Sequence, residues 1–420
     1  MTLNNVSNLF KGDKIIWMVF FFLILVSLVE VFSASSGLTY KSGSYMGPLL
    51  KHGGILFGGF LATLIILNIS ALKLKPFTLI FYILGVFFLL VAIVVGERTN
   101  GASRWLNLGF VQFQPSELMK GILVWVTAVI LSSAQRENGV HKTAIWWVLI
   151  FSSLPIFIIL MENFSTAALI SLTIFLMMFI ARVPSKQLGI ISAAAVLMVI
   201  LFISYVLIVG KVVPQQPNKN VLTEQTDAKN KGEEDGEKTF HRVDTWKSRI
   251  LKFFDKKELS PNEVDLDKDA QVAHANIAIA SSNVKGLGPG NSVERDFLSQ
   301  AFSDFIYAII IEELGLLGAA GVAFLYIILL FRAGVIARKC NDSFLSFLVM
   351  GYALLLVVQA VFNMAVAVGL APVTGQPLPL ISKGGTSTII NCGYIGIILG
   401  VSRLVNKREN AEKQKLEQHT

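Results

Sequence analysis

The run IIWMVFFFLILVSLVEVFSA, residues 15–34, decides the class of this chain. Twenty residues at about 1.5 Å each match the roughly 30 Å hydrocarbon core of a bilayer, so lipid is the natural solvent of such a run. It follows Lys11 and Lys14 and has no obvious small-residue cleavage site, which reads as a retained first span rather than a cleaved signal. Comparable runs recur at roughly 48–69, 76–96, 115–132, 144–161, 165–181, 188–210, 305–331, 343–370 and 386–404. Composition agrees: 54% of the 420 residues are hydrophobic, 15% are charged, and 30 are phenylalanine. Helices and closed barrels alone satisfy their backbone groups in lipid, and these continuous runs lack the alternation of barrel strands. The expected class is an all-α polytopic membrane protein with about ten spans.

Charge placement orients the bundle. With the N-terminus inside, the short inner segments hold Lys73, Lys75, Arg136, Lys142, Arg182, Lys186, Arg332, Arg338 and Lys339 as well as Lys11 and Lys14. A basic tail, residues 405–420, continues the series, whereas the short outer loops hold only Lys41, Arg98, Arg104 and Lys383. This asymmetry places both termini in the cytoplasm. Spans five and six, separated by Glu162, Asn163 and Phe164, read as a tight helical hairpin. Merging them would turn Arg332, Arg338 and Lys339 outward. The net charge of +8 is dispersed over these loops, which excludes a nucleic-acid footprint. Cys340 and Cys392 offer no disulfide framework, and the five histidines form no metal-ligand pair.

One loop is long. Residues 211–303 lie between spans seven and eight on the outer side, within what is otherwise a single membrane domain over 1–420. Residues 215–238 are polar, rich in Asn, Lys, Glu and Gly, and read as a disordered insertion. In Thr245–Phe254, Trp246, Ile250 and Phe253 or Phe254 recur at helical spacing between basic residues. That pattern suits a helix in the membrane interface, or equally one capping the bundle. The turn Gly286-Leu287-Gly288-Pro289-Gly290 then leads back to the membrane.

Ionisable groups inside spans are costly, so each is a functional candidate. Asp304 stands at the outer mouth of span eight, and Glu312 and Glu313 are expected about two turns deeper on the same helix. Asp304 also admits a plain reading as a helix-start acid favoured by the macrodipole, and the two glutamates as structural groups bonded to neighbouring helices. In Gln112–Lys120, Pro115 marks the start of span four, and Glu117 and Lys120 fall at i, i+3, able to pair. This pair either supports a polar cavity near Asp304 or is a local ion pair. Arg104, beside Trp105 in an outer loop, carries a fork suited to phosphate, or pairs with lipid headgroups or Glu97. In Pro377–Ser387 the prolines and Gly384-Gly385 break the helix and leave amides for an anion, with Lys383 adding charge. Ordinary capping by Thr386 or Ser387 is the alternative.

Taken together, Asn100–Leu106, Gln114–Lys120, Ser303–Gly315 and Pro377–Ser387 closely resemble the SEDS family of peptidoglycan glycosyltransferases, which includes FtsW and RodA. The resemblance covers nearly the whole chain, and the look of the span-eight motif favours the FtsW, or division, type over the elongation type. It implies polymerisation of glycan strands from lipid II at the outer, periplasmic face of the inner membrane. It also implies work with a class B penicillin-binding protein and divisome proteins. By the same resemblance Asp304 matches the family's essential aspartate, Glu117 and Lys120 its span-four pair, and Arg104 its outer-loop arginine. Two departures stand out: Gln300 and Phe302 occupy places commonly held by Glu and His, and Lys383 one commonly held by Tyr. The expected chemistry is glycosyl transfer with Asp304 as general base and basic groups (Arg104, Lys120, Lys383), with or without Mg or Mn, on the leaving pyrophosphate. A lipid II flippase and a catalytically silent scaffold are the competing readings.

Overall fold

The computed structural model describes residues 10–34, 46–99, 102–107, 112–137, 139–209, 247, 266–298 and 303–419. The polar insertion 215–238, Gln300 and Phe302 lie outside them, as does the 245–254 segment apart from Lys247. The expected runs are all helical. They form α1 (Lys14–Ala34), α2 (Met46–Asn68), α3 (Thr78–Val95), α4 (Pro115–Ser133), α5 (Thr143–Glu162), α6 (Phe164–Ile180) and α7 (Ser185–Val209). After the long loop, which contributes α8 (Leu266–Ser281), come α9 (Ile306–Lys339), α10 (Ser343–Ala367) and α11 (Thr386–His419). Among the described residues nine helices are long and apolar enough to cross a membrane, and α6 is a shorter tenth.

Local chemistry sets several boundaries. Asp13 starts α1, its Oδ1 accepting from the amides of Ile15 (2.9 Å) and Ile16 (3.0 Å). Pro115 occupies the first turn of α4, as expected. Asn163 alone separates α5 from α6: its backbone is extended, and its side chain accepts from the Thr166 amide. Gly139, just before α5, lies against the Arg182 carbonyl just after α6, so the two helices form the expected hairpin. The outer loop around Arg104 is not irregular. Glu97–Thr99 (β1), Ala102–Asn107 (β2) and Gln112–Phe113 (β3) make an antiparallel ribbon in the order β1-β2-β3. In the basic tail α11 carries the chain on as helix through 405–419.

The basic segments share one end of the bundle. There Arg332 pairs with Asp13, Arg403 bonds Asn68 (2.6 Å), Lys339 meets Glu409 (2.9 Å), and Lys75 lies over the Phe344 ring. The thiol of Cys340, in the turn after α9 at this end, is pushed up to about 11 by burial and then by the Asp342 charge. Side chains on the outside of the bundle are apolar: α7 shows Ile190, Met198, Leu201 and Ile208. These belong against lipid, where exposure of hydrocarbon carries no penalty.

The largest correction concerns span eight. Gly315 breaks α9 with φ 70 and ψ −175, so the helix that crosses is 316–339, while 306–314 is a separate arm packed back against it. The Tyr307 hydroxyl donates to the Ala319 carbonyl across this fold (3.1 Å). Glu312 and Glu313 therefore lie at the apex, beside Ser33 near the end of α1, and not two turns deeper than Asp304. The glycine turn of the long loop docks on this apex: the Leu287 amide donates to the Glu312 carbonyl (2.9 Å) and Gly288 to that of Glu313 (2.8 Å). Gly286 and Gly315, both at positive φ, face each other so closely that a Cβ on either would strike the other's backbone segment. Gly315→Ala is expected to lose about 1–3 kcal/mol from the backbone conformation alone, plus the clash. Thermal unfolding in detergent should show a lowered midpoint, and Gly321→Ala, within the regular helix and with open space around an added Cβ, should lower it less.

Candidate functional site

The site is assembled on an irregular segment, Thr374–Gly385, which enters the bundle between α10 and α11. Irregular backbone at membrane depth must find its partners within the protein. Here side chains from the helices supply them. The Gln376 carbonyl accepts from Asn363 Nδ2 (2.8 Å) and the Pro377 carbonyl from Gln359 Nε2 (2.9 Å). The Pro379 carbonyl accepts from the Tyr326 hydroxyl, and the Ile381 carbonyl from Ser27 (2.6 Å). The Gln376 side chain in turn donates to Thr166 (2.8 Å). None of Gln359, Asn363, Ser27 and Tyr326 stood out in the sequence reading. The available signal was their polarity inside apolar runs.

Asp304 is locked to this segment. Its carbonyl accepts from Asn363 Nδ2 (2.9 Å), and the carbonyl of Ser303 accepts from the Ser382 hydroxyl (2.6 Å). The Ser303 hydroxyl donates to Asp304 Oδ1 (2.9 Å), while Oδ2 lies on the side of Gly375, where an added Cβ would be 3.5 Å away. The cap residue of the following arm is Phe305, so Asp304 precedes the helix rather than capping it. Asp304 and Lys383 are each half-buried and follow Ser303 and Ser382, whose hydrogen bond ties the two stretches of backbone together. Burial, and then the charge of Lys51, lowers the Lys383 ammonium below the ordinary lysine value. Ser27 also contacts the His52 ring (2.9 Å), which brings the start of α2, Lys51 and His52, beside residues 381–383.

The other candidates separate into two groups. Glu117 and Lys120 do pair, at 2.9 Å, and both are essentially inaccessible, 2% and 0% exposed. Lys120 Nζ also donates to Gln359 Oε1 (2.7 Å), which connects the pair to the site through α10. Glu312 and Glu313 are withdrawn from the site altogether. Glu312 accepts from Ser292 Oγ and from the amides of Val293 (3.0 Å) and Glu294 (3.4 Å). Glu313 accepts from Ser33 and from the amides of Gly290 (2.9 Å) and Ser292 (3.2 Å). Their carboxylates hold the long loop down, so they are structural, with a loop rather than a helix as the main partner. Ser387 donates to the Gly384 carbonyl (2.7 Å) and Thr386 to that of Gln112 in β3 (2.9 Å), so both hydroxyls are spent on carbonyls. Arg104 lies in β2, with its side chain outside the described residues. A separate indentation lined by Ala92, Gln114, Ser116, Ile159 and Glu162 does not include Asp304.

A bundle of apolar helices, with polar side chains gathered on one locked irregular segment, defines the class as a multi-pass membrane protein. Residues 13–407 match the model of the cell cycle protein family that comprises FtsW, RodA and SpoVE, and the chain belongs to that family. It is 30% identical to the probable peptidoglycan glycosyltransferase FtsW of Aromatoleum aromaticum, over 90% of this chain and 85% of that protein. With the protein of the same name from Saccharophagus degradans it shares 28% identity, over 93% and 92%. A solved peptidoglycan synthase complex that coordinates polymerization and crosslinking contains a chain of the same fold, with TM-score 0.68 and 21% identity, covering 94% of this chain and 98% of that one.

The buried pair makes a stability prediction. Removing one partner leaves the other charged and unpaired in the bundle, a loss of about 3–5 kcal/mol, whereas removing both is close to neutral. Lys120→Met should therefore unfold well below the wild type in a thermal melt. The combined Glu117→Gln, Lys120→Met form should recover most of the difference.

Proposed function

We propose that this chain polymerises lipid II into glycan strands, as a division-type peptidoglycan glycosyltransferase, with Asp304 as general base. In this reading the end bearing Asp13, Arg332 and Lys339 faces the cytoplasm, and half-buried Asp304 is reached from the outer face of the inner membrane. The observation that carries the reading is the Ser303–Ser382 bond, which fastens the backbone bearing Asp304 to the segment bearing Lys383. Glycosyl transfer from a pyrophosphate-linked sugar needs both signs of charge. The GlcNAc 4-hydroxyl of the acceptor attacks C1 of the donor MurNAc with inversion. Asp304 takes the hydroxyl proton as the new C1–O bond forms and the bond to undecaprenyl pyrophosphate breaks, a role worth about 10²–10⁴-fold. The departing pyrophosphate meets Lys383, with Lys51 nearby and Arg104 as a further contact. Lys120, enclosed by Glu117 and Gln359, is not in this set.

Mg or Mn belongs to the proposal as a companion of the pyrophosphate. Among the described residues no group of three His, Cys, Asp or Glu side chains converges, so the pyrophosphate oxygens themselves would supply most of such an ion's ligands. The partner in this reading is a class B penicillin-binding protein of the divisome. Support comes from the relatives' shared name and from the solved synthase complex, which joins polymerization to crosslinking.

Purified chain with its transpeptidase partner, given lipid II, should form polymer. Asp304→Asn should reduce polymer at least a hundredfold while the melting point stays within a few degrees of wild type. Full polymerisation by that variant would remove Asp304 from the mechanism, and headgroup translocation without any polymer would favour the flippase. Lys383→Gln and Lys51→Gln should each raise KM for lipid II several-fold and leave kcat within about threefold, measured by continuous assay of glycan formation.

A further inference from the structure

Lys120 is the most enclosed cation of the bundle interior among the described residues, at 0% exposure, with its ammonium already shared between Glu117 and Gln359. A group so placed has no path to a pyrophosphate without unpacking α4 from α10. A buried ion pair is also a poor way to gain stability, since apolar side chains of the same size do as well. Its contacts lead instead toward the reacting carboxylate.

The connection is direct. Gln359 accepts from Lys120 at Oε1 (2.7 Å) and donates from Nε2 to the Pro377 carbonyl (2.9 Å). One helical turn further along α10, Asn363 spends its amide on two carbonyls, those of Gln376 (2.8 Å) and Asp304 (2.9 Å). Two successive carbonyls, 376 and 377, are thus gripped by two side chains four residues apart on a single helix, and one of those side chains also grips Asp304. Both amides are 1% exposed, so water does not compete for them. A cation on Gln359 Oε1 polarises that amide and strengthens the bond from its other end.

We infer that the Glu117–Lys120 pair acts on glycosyl transfer without contacting substrate, through Gln359 and Asn363, which are positioning residues for Asp304. The inference rests on Asp304 being the general base. Loss of Gln359 or Asn363 relaxes the 376–377 segment and the Asp304 backbone together, which degrades alignment in the transition state and leaves donor binding at Lys383 nearly unchanged.

A kinetic cycle on the full chain with its transpeptidase partner, in nanodiscs with lipid II, tests this. Gln359→Met and Asn363→Ala should each lower kcat about 10- to 100-fold with KM for lipid II within about twofold. Gln359→Glu, which keeps an acceptor for Lys120 but has no donor for Pro377, should fall as far as Gln359→Met. The neutral Glu117→Gln, Lys120→Met form should lose kcat to a similar extent, and adding Gln359→Met to it should cost less than a further threefold. Additive losses, or a KM raised tenfold when the pair is neutralised, would mean that Lys120 meets the substrate itself and would overturn the inference. Thermal midpoints measured on the same preparations separate these outcomes from misfolding. Asp304→Asn run in parallel separates them from failure of the glycosyl-transfer reading: an active Asp304→Asn defeats that reading, whereas an inactive one with additive losses defeats this inference alone.

Discussion

The structure depends on one constraint: a stretch of non-helical backbone, Thr374–Gly385, enters the bundle and is buried over most of 376–382. Each carbonyl there needs a donor, and a donor left out costs on the order of 1–3 kcal/mol. The chain meets the requirement at Gln376, Pro377, Pro379 and Ile381 with polar side chains that lie as far apart in sequence as Ser27 and Asn363. Because these bonds are made by helices that cross the whole membrane, the segment takes its position from the bundle as a whole. A site built this way is rigid for the same reason that it is expensive. That rigidity is what a general base needs if it is to meet a sugar hydroxyl at one angle and distance.

A second set of bonds closes the same end of the molecule. Glu312 and Glu313 are adjacent, fully buried acids, which would be a liability in a crossing helix. At the apex of a folded-back arm they become anchors, each accepting from amides of the long loop. The glycine pair Gly286 and Gly315 lets the two backbones approach closely enough for this. The arm therefore presents Asp304 from its buried start and fastens the long loop at its other end. The His274 ring, 2.5 Å from Glu294 and stacked on Phe297, ties α8 into the same fastening.

The span count, the hairpin at Asn163 and the gathering of basic residues at one end were legible because they rest on hydropathy and charge, which are properties of short stretches. Asp304 was legible as well, being an acid directly ahead of an apolar run within a family motif. The depth of Glu312 and Glu313 was not. An i to i+8 argument assumes a continuous helix, and the reversal at Gly315 shows only once the Gly286 turn is seen to occupy the space beside it. Glutamine 359 and asparagine 363 were passed over because a single amide in an apolar run has no spacing to betray it. Lys383 and Ser387 looked equivalent in one motif, yet the serine spends its hydroxyl on Gly384 while the lysine is half-buried within reach of the Lys51 charge.

By itself the sequence determined that this chain is a lipid-solvated helical bundle, and through its motifs to which family it belongs. Long apolar runs have no other stable solvent, and only helices satisfy the backbone within them. Tertiary structure alone decided which polar groups share a site, that α9 folds back on itself, and that Lys120 is sealed away while Asp304 stays half-open. Those outcomes turn on hydrogen bonds between residues hundreds of positions apart, and no local pattern records which buried donor will find which buried acceptor.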